Sequence, residues 1–193
     1  MLAYITHDFS TVLMLLILLI AQWFDFKQHR IPNLLTYGTM LAGIVLQTWF
    51  LGWEGFLTAL YGFSVGLLIL LPFFLGGGMG AGDIKLMAAL GTILGPMDIL
   101  LAAGLTLLCG SVLGLLILIV RRGLKRYFSR YFLILKHLFY TGKLMYFPPA
   151  QGEAASLRFP YAVAIATGCV VTLWWTSALD FTFLKMFIAS NGL

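Results

Sequence analysis

The chain has 193 residues, 61% of them hydrophobic and only 10% charged, with a formal charge of +5 and a mean hydropathy of +0.99. Soluble domains run at roughly half apolar and a quarter charged residues, so this composition excludes a water-soluble globular domain and indicates an integral membrane protein. The apolar runs are long, rich in Leu, Ile, Gly and Ala, and lack the roughly ten-residue alternation of barrel strands, which predicts an all-α, polytopic bundle.

Six transmembrane helices are predicted. The first covers residues 9–24; no Lys or Arg precedes it and no small-residue cleavage pattern follows, so it reads as a retained helix rather than a secretory signal. A polar stretch from Asp25 through Lys27, His29 and Arg30 leads to Ile31-Pro32-Asn33, where Pro32 forces a break. The second span, 34–51, and the third, 56–75, flank a turn at Gly52-Trp53-Glu54-Gly55. Five glycines then crowd the stretch from Gly76 to Gly82, ahead of Asp83, Ile84 and Lys85. Glycine lets another chain approach closely, and a carboxylate at a membrane edge is costly unless hydrated, paired or used. The fourth span, 84–95, is rich in Ala and Gly and is expected inside the bundle, because small residues let helices approach closely in lipid. The Gly95-Pro96-Met97-Asp98 turn precedes the fifth span, 99–120, and the sixth runs over 159–176 with Pro160 in its first turn.

The whole chain, 1–193, reads as one membrane-embedded domain with an insert at 121–158 and a tail at 177–193. In the insert, Leu124, Tyr127, Phe128, Tyr131, Phe132, Leu135, Leu138 and Phe139 recur at three- and four-residue steps, with Lys125, Arg126, Arg130, Lys136 and His137 off that stripe. This predicts an amphipathic helix lying in the interface among anionic lipid headgroups. A basic, aromatic stripe also suits RNA, but its position beside a span favours lipid, and nucleic acid is not expected as a partner. With six spans, of the 12 Lys and Arg residues only Lys185 falls on the side opposite the others. The basic side is cytoplasmic by the positive-inside rule, so both termini face outward and the tail rests on the outer surface. All 5 tryptophans fall near span ends, as an aromatic belt requires.

Three acids remain on the cytoplasmic side. Glu153 lies in a Pro/Gly/Ala loop and reads as solvated, whereas Asp25 and Asp83 each sit where a span meets the cytoplasm. Asp83 precedes a span only about 18 Å long at ~1.5 Å per residue, so Asp25 is expected to be the shallower of the two. Two carboxyls close enough to share one proton form an aspartic protease dyad: one member takes a proton from the attacking water, the other hydrogen-bonds the peptide carbonyl. The plainer alternative is that each Asp caps a helix or pairs with a nearby Lys. Cys109 and Cys169 lie inside apolar runs and read as packing residues; no metal or cofactor is implied.

At these residues a family resemblance enters. Gly80-Ala81-Gly82-Asp83 matches the GxGD motif of intramembrane aspartyl proteases, and Lys85 follows as in the prepilin peptidases. Asp25, Lys27 and Ile31-Pro32-Asn33 resemble the first aspartate motif of that family, and the run from Phe159-Pro160-Tyr161-Ala162 to Gly168 resembles its last helix. Within the family the chain looks like the small, peptidase-only type serving tight-adherence (Flp-type) pili, although its 121–158 insert is longer than that type leads one to expect. The resemblance implies Asp25 and Asp83 as catalytic residues, supported by Gly80, Gly82, Lys27, Lys85, Pro32, Asn33 and Pro160. It implies a multi-pass protein of the bacterial cytoplasmic membrane that removes the short basic leader of type IV pilin-like precursors at the cytoplasmic face. The glycines would let the scissile segment lie extended against Asp83, and Lys27 and Lys85 would either tune the dyad or only contact headgroups, the second being the favoured reading. Two rival readings use the same residues: a proton- or cation-coupled transporter with Asp25 and Asp83 as its ion site, and a non-catalytic subunit of a pilus or secretion assembly.

Overall fold

The computed structural model describes residues 2–76, 78–120 and 161–176. They form five helices with no strand among them: α1 (Leu2–Gln28), α2 (Asn33–Leu75), α3 (Ala81–Leu94), α4 (Pro96–Val120) and α5 (Ala162–Trp175). Residues 9–28, the whole of α2 and residues 96–116 are each long and apolar enough to cross a membrane. Residues 1–110 with 160–193 make one compact unit and residues 111–159 a second; the candidate site lies in the first. The predicted interfacial helix, the outer tail and Pro160 lie outside the described residues.

Helix α1 overruns the predicted span at both ends, since neither Gly nor Pro interrupts residues 2–28. It stops at His29, whose φ of 49° turns the chain left-handed just ahead of the Ile31-Pro32 break, with the His29 amide still donating to the Asp25 carbonyl at 2.8 Å.

The second and third predicted spans both fall in α2, so the six expected spans map onto five helices among the described residues. The cause is the compactness of the turn. Only Gly52 leaves helical geometry, at φ 62° and ψ −138°, so helical bonding resumes at once instead of after the predicted 52–55 loop. The two limbs, 33–51 and 53–75, nevertheless run in opposite directions. Along the first, Gly43 meets Thr92 and Gln47 meets Ile93; along the second, Gly62 meets Gly91 and Gly66 meets Met87. Register against α3 rises in one limb and falls in the other, so α2 is a hairpin clasping α3. Gly55 packs against the backbone of Gln47, closing the hairpin near its tip.

As its Ala- and Gly-rich sequence predicts, α3 is the central helix. Leu86, Met87, Ala88, Ala89 and Leu90 are wholly buried. Gly62 and Gly91 touch backbone to backbone, each occupying the place where the other's Cβ would need to stand. In lipid, where apolar side chains gain little from leaving the solvent, such close contact is the main source of helix association. Hydroxyls stay local: Thr92 donates to Ala89, Thr106 to Ala102 and Thr172 to Gly168, at 2.7, 2.7 and 2.9 Å. Gln47 reaches across instead, its Nε2 donating to the Ile93 carbonyl at the end of α3 at 2.8 Å. The five tryptophans are all exposed, which suits a belt of interfacial aromatics.

Candidate active site

Asp25 sits in the last turn of α1 and Asp83 in the first turn of α3. Asp25 is 6% exposed, one of few buried polar side chains among the described residues, while Asp83 is half-buried. The acid expected to lie shallower in the membrane is therefore the one more fully enclosed by protein.

Each carboxylate is held by one backbone amide. The Ala162 amide, at the start of α5, donates to Asp25 Oδ2 at 3.0 Å. The Gly80 amide donates to Asp83 Oδ2 at 3.2 Å, while the Asp83 amide returns a bond to the Gly80 carbonyl. Both aspartates thus cap helices, Asp83 its own and Asp25 a distant one. They also act on one another. Burial, and after it the negative charge of Asp25, pushes the Asp83 carboxyl up to about 7, against the opposing pull of the Gly80 amide. Asp83 stands at the polar head of α3, before the apolar run. Helices α1 and α3 therefore deliver two carboxyls to one end of the bundle, within electrostatic reach of each other.

The supporting residues divide. Lys85 Nζ donates to Asn33 Oδ1 at 3.0 Å and lies over the Tyr37 ring, 5.4 Å from its centroid. Gly82 packs on Ile31, where an added Cβ would stand 3.3 Å from the Ile31 Cβ. The first aspartate motif and the GxGD motif are thus clasped by two contacts, Gly82 on Ile31 and Lys85 on Asn33. Gly80 contributes in another way. A Cβ there would stand 3.0 Å from Asp83 Oδ2, so the glycine leaves room for the carboxylate to fold back onto its amide. Pro32 precedes α2 in extended geometry, its carbonyl accepting from the Leu35 amide at 3.1 Å. Lys27 is exposed.

Sequence reasoning missed two groups. The Ala162 amide was not foreseen as the partner of Asp25; its only signal was that the Phe159–Gly168 match begins where a helix begins. Tyr161, half-buried with its ring end over Gly110, comes within electrostatic reach of Asp83. Among the described residues no three His, Cys, Asp or Glu side chains gather as a metal site would need.

Fold and site together define a helical membrane protein with a pair of carboxyls at one end of its bundle. The sequence model of the type IV leader peptidase family matches residues 12–119, more than half of the chain, and covers both aspartates, the hairpin and α3. The chain belongs to that family of proteases, whose substrates are prepilin-like. No curated protein and no solved structure matches it.

Proposed function

We propose that the chain is a membrane aspartic endopeptidase that removes the short basic leader from type IV pilin-like precursors. The observation that carries this is the juxtaposition of Asp25 and Asp83, from separate helices, with burial and then the charge of Asp25 raising the proton affinity of Asp83. Like charges that cannot both ionise readily leave a pair holding one proton at neutral pH, and that pair is the reactive unit. Water attacks the scissile carbonyl carbon while the ionised carboxylate takes its proton. The protonated partner hydrogen-bonds the carbonyl oxygen as it gains charge, and collapse of the tetrahedral intermediate passes a proton to the leaving amine. Amides of Gly80 and Ala162 hold the two carboxyls in place, so little reorganisation precedes the reaction.

In this reading α1, the two limbs of α2, α3, α4 and α5 cross the bacterial inner membrane six times, with both termini outside and the acid pair at the cytoplasmic face. The positive-inside distribution of Lys and Arg supports that orientation. The insert 121–158 then rests on anionic lipid. A purely structural role for the two acids draws support from a specific observation, that each caps a helix. Co-expression with candidate prepilins, scored by mass spectrometry of the leader, separates the readings. Loss of cleavage in Asp25→Asn and Asp83→Asn at normal protein level supports the enzyme, and intact cleavage in both rejects it.

A further inference from the structure

Although joined by a short turn, α1 and the first limb of α2 diverge and leave a lateral cleft. At the end near the acid pair it is an open, apolar groove of about 430 Å³ between Ile17, Ile20 and Phe24 on one side and Pro32, Gly38 and Ala42 on the other. Towards the far end a second hollow of about 420 Å³ lies between Phe9 and Val45, Trp49 and Phe50. From Phe9 to Phe24 the wall is about 22 Å long at ~1.5 Å per residue, most of a hydrocarbon core of ~30 Å.

Two features suit the cleft to a helix. Gly38 and Ala42, one turn apart, face it, and nothing lies within 4 Å of where a Gly38 Cβ would stand. Gly43, Gly62 and Gly66, by contrast, are filled by close contacts with α3. Small residues on a membrane helix are where a second helix packs closely. The cleft also ends beside the segments that carry the site. Phe24 adjoins Asp25, and Pro32 adjoins Ile31, which seats Gly82 of the GxGD motif. A helix lying there would bring its polar end to the acid pair.

We propose that this cleft docks the hydrophobic helix of the precursor, placing the junction between leader and helix at Asp25 and Asp83. The identity of the occupant rests on the leader-peptidase reading; the cleft and its nearness along the chain to Asp25 and Ile31 do not.

The test uses the full chain in liposomes with Cys109→Ala, since Cys109 is half-exposed while Cys169 is fully buried. The probe is a synthetic precursor: a basic leader ending in Gly, then an apolar helix with one cysteine at mid-length. Oxidation is expected to join it to a Gly38→Cys variant and not to a Gly104→Cys variant, which also has nothing within 4 Å of an added Cβ but lies on α4, outside the cleft lining. In parallel, Gly38→Leu is expected to lower kcat/KM roughly tenfold through KM, with Gly104→Leu unchanged. Cross-linking at neither position, at both equally, or at 104 alone overturns the proposal and leaves the cleft to lipid or to another part of the chain. A precursor cleaved by the unaltered protein but not joined at position 38 sinks the cleft alone. One joined at 38 yet never cleaved sinks the protease reading alone.

Discussion

Asp25 at the end of α1 accepts the amide of Ala162 at the start of α5, 137 residues away, at 3.0 Å. The bond ties a candidate catalytic carboxylate to the positive end of a helix, where negative charge is favoured, and restricts its rotation. Asn at position 25 keeps an oxygen for that amide but can neither accept water's proton nor share one. Asp25→Asn should therefore lose roughly 10⁴-fold or more in activity and unfold near the wild-type temperature. Asp25→Ala should lose the same activity and also about 1–3 kcal/mol of stability, because it leaves a buried amide without a partner. Thermal unfolding in detergent beside a leader-cleavage assay would check both. Equal stability of the two variants would contradict the capping role.

The raised Asp83 carboxyl fixes the sign of the pH dependence. Cleavage needs one proton on the pair, and Asp83 gives its proton up near pH 7. Activity should therefore fall as pH rises through about 7, and a profile still flat to pH 9 would contradict the arrangement. Stability follows the same sign. Between the ordinary value of 3.8 and about 7 the folded protein binds more protons here than the unfolded chain. The Asp83 contribution is fully present below pH 3.8 and is lost as pH rises to about 7. Asp83→Asn should consequently be the more heat-stable protein at pH 8, with the gap closing towards pH 4. Denaturation series at the two pH values would show it.

Much of this was legible in the sequence because single residues decide it. Pro32 sets the break before α2 and Gly95 closes α3, and the small residues of α3 predict its central place. The hairpin at Gly52 was foreseen as a turn, but its length was not: Trp53 and Glu54 carry no signal distinguishing a loop from an immediate restart of helix. Asp25 and Asp83 were recognisable as a pair through the motifs around them. Their partners were not, because the Gly80 and Ala162 donors are backbone amides, which every residue but proline possesses. Lys85 was expected either among headgroups or tuning the dyad, and its partners Asn33 and Tyr37 were not foreseen; a lysine at a span end has the same sequence signature in each case.

This pairing of Lys85 yields a coupling experiment. Its ammonium joins Asn33 at 3.0 Å and covers the Tyr37 ring, so it fastens the start of α3 to the start of α2. The contact is exposed, and its worth should be modest. A double-mutant cycle of Lys85→Met with Asn33→Ala should return a coupling of about 0.5–1 kcal/mol in unfolding. The cleavage rate should fall several-fold in either single variant, because the acid-bearing segments lose one of their two clasps. Additive variants would show that the two residues act separately.

The glycines should sort by what a methyl group would meet. At Gly62 an added Cβ runs into the Gly91 carbonyl, a backbone atom held by its helix, and the bundle must part to admit it. Gly62→Ala should cost about 3 kcal/mol or more and lower the yield of folded protein. Gly82→Ala meets only the Ile31 side chain, at 3.3 Å, and a shift of a few tenths of an ångström accommodates it. Its stability should change little, but its activity should drop several-fold as Asp83 moves relative to the first motif. Gly80→Ala brings a methyl within 3.0 Å of Asp83 Oδ2 and should displace the carboxylate from its amide, costing activity more than stability. Gly104→Ala, with open space around it, should be neutral in both assays. Measuring melting temperature and leader cleavage across the four variants checks the order. A Gly82→Ala protein with wild-type activity would mean that the fit of Gly82 against Ile31 does not set the position of Asp83.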